Sequence, residues 1–305
     1  MEKQNDYMIR GTAGGGQVRA FIATTRDMAE YGRKVHRTTP VATAALGRLL
    51  TAGVMMGTMM KGDRDEITVR IDGDGPIRMV LVTADSHGTA RGCVGNPNVL
   101  LPFKENGHLD VGGAIGKGSL KVIRDTGLKE PYVGEVNLVS GEIAEDLTYY
   151  FAASEQVPSA VSLGVLVDTD TTVRRAGGMI LQMMPDAGDE IIDDLENTLK
   201  KLPSMTELLE AGKTPEDIFR EVLGNWQPEI LEKIPLSYRC NCSRERVERA
   251  LISISAKDLR ELIEEDKTIE VACQFCDKKY SFTVDDLKEL GRRKLMGRVN
   301  VVDKN

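Results

Sequence analysis

The sequence predicts an α+β fold: a largely antiparallel sheet domain with helices over residues 1–186, a helical linker over 187–239, and a small C-terminal zinc-binding domain over 240–305. Three observations carry that expectation. Apolar and β-branched runs cluster before residue 186 instead of alternating strictly with helices. A charged, proline-broken stretch with helical apolar period follows. Four of the five cysteines then sit in two short pairs, Cys240-Asn241-Cys242 and Cys273-Gln274-Phe275-Cys276.

Residues 18–24, 66–71, 77–82 and 119–124 alternate or run apolar, and the turn sequence Asp72-Gly73-Asp74-Gly75-Pro76 separates two of them. Helices are expected over about 25–35 and from Thr39-Pro40, where Thr is a capping residue and Pro suits the first turn. A third helix covers 142–154, and strand returns at 161–167 and 173–182. Residues 41–60 approach membrane-spanning length, but their Ala, Gly and Thr content and the central Arg48 make them a buried core helix, with no membrane partner. In the linker, Ile191, Ile192, Leu195, Leu199 and Leu202 share one helical face while Asp193, Asp194, Glu196 and Lys200 fill the other. Pro203, Pro215, Pro228 and Pro235 keep its helices short, and short helices are marginal alone, so that apolar face must lie on a neighbour. Beyond Cys240, residues 244–253 and 257–265 are expected to be helical, 269–282 a hairpin, and the chain from Asp285 a final helix.

At 305 residues, with 41% apolar and 29% charged residues, the composition is that of a soluble globular protein of more than one domain. The net charge of −7 counts against a nucleic-acid partner, and the basic segment Arg292, Arg293, Lys294, Arg298 reads as a solvated helix end. Residues 1–11 contain no apolar leader core, so a cytoplasmic location is expected. Ala13-Gly14-Gly15-Gly16 and the stretch 112–119 read as turns. The second departs from a P-loop, with Val111 where the first Gly belongs and Gly118 where Ser or Thr belongs, so no ATP is expected. His36, His87 and His108 lie in no nucleophile motif, and Ser154-Glu155-Gln156 reads as solvent-facing or capping, so no enzyme is expected. Cys93 reads as a small core residue. Met55, Met56, Met59, Met60, Met179, Met183 and Met184 read as core filler that becomes adaptable binding surface only if something exposes it.

Two close thiol pairs in a reducing compartment point to a metal or to redox chemistry. Tetrahedral thiolate coordination by Cys240, Cys242, Cys273 and Cys276 suits one zinc ion, with an iron–sulfur cluster as the rival. About 65 residues make too small a core without such a staple, so a structural role follows in any case. Whether the metal is also a switch stays open on the residues alone. A Zn–S bond near ~2.3 Å puts the sulfurs roughly 3.7 Å apart, a small motion from a ~2.05 Å disulfide, so oxidation competes with metal.

Several motifs together resemble the redox-regulated 33 kDa heat-shock chaperone family (33 kDa chaperonin), over essentially the whole chain. They are Leu138-Val139-Ser140-Gly141-Glu142-Ile143-Ala144-Glu145-Asp146-Leu147, Ser154-Glu155-Gln156-Val157-Pro158-Ser159, Ala176-Gly177-Gly178 through Gln182 and Pro185, and the cysteines with Ser243-Arg244-Glu245-Arg246-Val247. The resemblance implies an ATP-independent holdase, zinc-bound and inactive when reduced. It implies that peroxide or hypochlorous acid joins Cys240 to Cys242 and Cys273 to Cys276, releases zinc, and unfolds the module and linker. It further implies capture of unfolding client proteins and a homodimer on activation. A zinc-stapled binding module for nucleic acid or translation machinery is the alternative.

Overall fold

In the computed structural model, which describes residues 6–302 and side chains as far as Lys294, the chain opens with strands β1 (Tyr7–Ala13) and β2 (Val18–Thr24). Gly14, Gly15 and Gly16, all at positive φ, make the turn between them, as the glycine run predicts. Helices α1 (Arg26–His36) and α2 (Pro40–Gly57) follow, then β3 (Glu66–Gly73), β4 (Met79–Asp85), β5 (Thr89–Val94), α3 (Val111–Ile115), β6 (Gly118–Asp125) and β7 (Tyr132–Asn137). Next come α4 (Ile143–Ala153), β8 (Ser159–Val167), β9 (Val173–Met183), α5 (Asp189–Lys201), α6 (Met205–Glu210), α7 (Pro215–Leu223), β10 (Glu229–Pro235) and β11 (Ser237–Tyr238). The chain divides at this point into two units, the second starting at Cys240. That unit holds α8 (Arg244–Ser253), α9 (Ala256–Glu264), β12 (Ile269–Ala272), β13 (Lys279–Phe282) and α10 (Val284–Val302). The side chain of Arg298, part of the basic segment, lies outside the described residues.

The first unit is an α+β structure of two sheets, ordered β10-β1-β2-β9-β8 and β11-β5-β4-β3-β6-β7, antiparallel throughout except for the short parallel pair β11–β5. Helix α2 packs against strands of both sheets. It is apolar and long enough to cross a membrane, yet 89% of it is buried inside the protein, as the core-helix expectation required. Its start differs from expectation: Thr39 makes no side-chain cap. The Thr39 hydroxyl donates instead to the carbonyls of Pro97 (3.1 Å) and Val99 (2.6 Å). Pro40 still suits the first turn, where a missing N–H costs nothing.

Strand β2 is apolar on both faces, which decides the architecture. Phe21 and Ala23 point into the core shared with α2, whereas Val18, Ala20 and Ile22 point to the other side of the sheet, joined there by Ile9, Met179 and Leu181. Such a two-faced strand needs cover on both sides. Helices α5, α6 and α7 provide the outer cover through Ile191, Leu195, Leu208, Leu209, Ile218 and Phe219, all buried. Ile192, Leu199 and Leu202 pack at the margin, so the predicted apolar face of 191–202 meets a sheet.

The helical expectation for 187–239 fails beyond the 3-10 turn Gly224–Trp226 that follows α7. Residues 229–235 form β10, paired with β1 from Tyr7↔Pro235 to Thr12↔Glu229. Its charged sequence between two prolines has no core period; an edge position on β1 makes it a strand. Gly11 is required at that contact, since a Cβ there would sit 2.6 Å from both the Glu229 carbonyl oxygen and Phe219 Cζ. The stretch 112–119 is likewise not a simple turn: α3 occupies its start, capped by Asp110, whose carboxylate accepts from the Gly113 amide (2.9 Å).

Buried Glu30 holds α1 to β9 through its charge. It accepts from Arg33 Nε and Nη2 (both 2.8 Å) and from the Val173 amide (2.9 Å), tying α1 to β9. Burial opposes its ionisation, but the Arg33 hydrogen bonds, the Val173 amide and the Arg33 charge outweigh that and hold its pKa at about 2 against an ordinary 4.5. The folded state therefore binds the proton less readily than the unfolded one. The stabilisation is present above pH 4.5 and is lost as pH falls through 2. Glu30→Gln should lower stability at neutral pH by about 2 kcal/mol, with the gap to wild type closing below pH 4.5. Urea midpoints across that range check it, and a gap independent of pH would refute the ionic assignment.

Candidate metal centre

Among the described residues, the second unit has a core of six buried side chains, Leu251, Leu259, Tyr280, Phe282, Leu287 and Leu290. Two local structures present its cysteines. Cys240 and Cys242 lie in extended chain just before α8, whose N-cap Ser243 accepts from the Arg246 amide (3.3 Å). Arg246 Nη1 also donates to Asn241 Oδ1 (2.5 Å), fixing the residue between the two thiols. Cys273 and Cys276 lie in the loop of the β12–β13 hairpin. There the Cys273 amide donates to the Lys278 carbonyl (2.9 Å), the Asp277 amide returns to the Cys273 carbonyl (2.9 Å), and Asp277 takes positive φ.

All four Sγ atoms fall within 4.8 Å of one another. Cys240 and Cys273 are 3.7 Å apart, and Cys242 and Cys276 3.4 Å. The first equals, and the second is slightly shorter than, the roughly 3.7 Å edge of a tetrahedral thiolate site. The half-buried group contains no histidine or carboxylate among the described residues. Its chemistry is therefore that of a soft, four-thiolate cage that can hold one metal ion, and zinc fits it.

The electrostatics argue the same way. Burial, together with the neighbouring thiols, pushes Cys240 up, and burial with Cys242 does the same to Cys276. At Cys242, burial is outweighed by hydrogen bonds from Tyr280 and the other thiols, which bring it down to about 7. Four thiolates this close repel unless a cation neutralises them. Tyr280, whose hydroxyl donates to Cys242 Sγ (3.1 Å), is a functional contact the sequence argument missed. Its only sequence signal was an aromatic at an inward position of a four-residue strand.

The remaining candidates resolve separately. Cys93 is a buried residue of β5. His36 and His87 contact backbone carbonyls of Gly92 and Asp63. Glu155 is not a solvent-facing cap: it accepts from the Tyr150 hydroxyl and pairs with Arg124 (2.7 Å), because α4 packs it against β6. Met55, Met56 and Met179 are core residues, whereas Met184 is 37% exposed. The basic segment is not simply solvated either. Arg293 pairs with Glu248 (3.0 Å) and Lys294 donates to the Ile252 and Ile254 carbonyls, pinning α10 to the C-terminal part of α8.

A family profile described as Hsp33 protein matches residues 6–283, more than nine-tenths of the chain. The chain belongs to the Hsp33 family. Among Hsp33 relatives, a 33 kDa chaperonin of Agathobacter rectalis is 54% identical over 94% of this chain and 99% of its own length. One from Clostridioides difficile is 54% identical over 93% and 98%. The crystal structure of the Thermotoga maritima 33 kDa chaperonin (heat shock protein 33 homolog) aligns with a TM-score of 0.87 at 39% identity, covering 95% of this chain and 99% of that one. Membership of the Hsp33 family supports a chaperone role, and with it the binding of unfolded proteins.

Proposed function

We propose that this chain is a cytoplasmic, ATP-independent holdase without catalytic activity, switched on by oxidation at Cys240, Cys242, Cys273 and Cys276. The observation that carries the proposal is the covered outer face of the five-stranded sheet. Ile9, Val18, Ala20, Ile22, Met179 and Leu181 form an apolar surface, and α5–α7, which precede β10, β11 and Cys240 in the chain, cover it. That cluster is separate from the one on the opposite face, which packs with α2.

In the reduced state the four thiolates would hold one zinc ion, which supplies the charge that keeps them together. On oxidation, a thiolate of each pair attacks the O–O bond of a peroxide, giving a sulfenic acid and hydroxide. Its partner thiolate attacks the sulfenic sulfur, forming S–S and expelling a second hydroxide, so each disulfide passes two electrons to one peroxide. We assign the bonds to Cys240–Cys242 and Cys273–Cys276, the family's pairing. Each bond removes two thiolate ligands, and a unit with six buried core side chains then lacks its staple. Loss of that anchor destabilises α5–α7, which are short, and uncovers the apolar face for clients. Exposed apolar area also favours a homodimer of the activated form. The charge of −7 argues against nucleic acid as partner.

The test pairs zinc release, read with a colorimetric chelator, with suppression of aggregation of thermally unfolding citrate synthase, before and after peroxide. Zinc release accompanied by holdase activity, both reversed by thiol reductant plus zinc, is the expected result. Release without activity would leave the cysteines purely structural.

A further inference from the structure

Strand β10 closes the five-stranded sheet along the outer edge of β1. Its side chains add little to the core: only Ile234 is partly buried, while Ile230 and Leu231 are 38% and 55% exposed. The backbone ladder to β1 does most of the holding, helped by the ion pairs Arg10–Glu232 (2.6 Å) and Lys233–Glu216 (2.9 Å). The Arg10–Glu232 pair is exposed on both sides, so it contributes little and is screened by salt, while Lys233 adds a contact over the Tyr7 ring (3.8 Å). The register also slips between Arg10 and Gly11, leaving Leu231 unmatched, so the ladder is broken by a bulge. After Pro235 only Leu236 to Arg239 separate β10 from Cys240.

The strand it covers has the opposite character. Met8 and Ile9 are fully buried, one on each face of the sheet, and β1 is held on its inner side by β2 from Tyr7 to Ala13. Were β10 to leave, β1 would remain in place as a new sheet edge with a row of unpaired backbone donors and acceptors. Such an edge is a template for any extended chain. Arg10 would at the same time lose Glu232.

We infer that β10 is a displaceable strand occupying a client site, and that the vacated edge of β1 takes an extended segment of an unfolding protein by β-strand addition. The inference rests on the redox-switched holdase reading and specifies how that holdase grips its client. Backbone hydrogen bonds supply grip without regard to sequence, and alternate client side chains reach the apolar face that α5–α7 leave. The best partner is an extended apolar strand with an acidic residue opposite Arg10. A folded protein without an open strand cannot enter.

Hydrogen exchange on the full chain tests this in three states: reduced, oxidised, and oxidised with thermally unfolded citrate synthase bound, with aggregation measured on the same samples. On oxidation, the outward amides of β1 and those of β10 should exchange faster by roughly tenfold or more. With client bound, the β1 amides should slow again by a similar factor while β10 stays fast. Strand addition is refuted if β10 remains protected in an active oxidised protein, or if β1 stays fast with client bound. It is also refuted if β1 and β10 regain protection together, which would mean that β10, the chain's own or a second copy's, fills the edge. An oxidised protein that suppresses no aggregation overturns the holdase reading itself and this inference with it. Suppression with an open β1 edge overturns strand addition alone.

Discussion

Cys276→Ser should abolish tight zinc retention and unfold the second unit, loosening α5–α7 with it while the two sheets and α2 of the first unit stay folded. Cys276 Sγ lies 3.4 Å from that of Cys242, and among the described residues no histidine, carboxylate or fifth cysteine joins the group to replace it. A serine hydroxyl stays protonated at neutral pH and is a poor zinc ligand, so the variant keeps three thiolates at best. Metal binding is worth about 10–16 kcal/mol in zinc-finger peptides, and a core of six side chains has little to set against losing much of it. Zinc stoichiometry under chelator competition, with hydrogen exchange in α8–α10, reads the result. A variant that still holds one zinc tightly, with slow exchange there, would show that Cys276 is not a ligand.

Phe219→Ala should activate the reduced protein without oxidant. Phe219 is 1% exposed and lies so close over β1 that Gly11 has no room for a Cβ. Truncating a buried phenylalanine costs about 3–5 kcal/mol, here taken from the seating of α7 on the sheet. At about 1.4 kcal/mol per tenfold, the uncovered population rises by two orders of magnitude or more. The variant should retain its zinc, because the substitution leaves all four cysteines untouched. It thus separates exposure of the sheet from the chemistry of the thiols. Fast exchange in α5–α7 of a reduced variant that suppresses no aggregation would mean that the covered face is not the client surface.

The strands whose burial comes from their own side chains were legible in the sequence. β2, β3, β6 and β9 carry apolar runs or alternation that survive into the fold with ends shifted by a residue or two. The helix of residues 40–57 was legible because a long apolar run with few charges is a buried helix in a soluble chain. Glu155 was misjudged because its partners, Tyr150 and Arg124, come together only when α4 meets β6. Strand β10 was missed for a related reason. Arg10 and Glu232 are 222 residues apart, and nothing local in Glu229–Pro235 says which edge it will meet.

The sequence by itself determined the chemistry of the candidate site. Four thiols in two close pairs single out the soft-metal ligands and oxidisable groups of the candidate site, while the surroundings of each sulfur set its reactivity. It also determined that residues 191–202 would need an apolar surface, since the helical period puts their leucines and isoleucines on one side. Only the tertiary structure decided which surface that is, which strand the edge of β1 receives, and that Tyr280 stands against Cys242. Those outcomes depend on contacts between distant segments, whose free energies come from surface buried jointly and from hydrogen bonds completed across the fold.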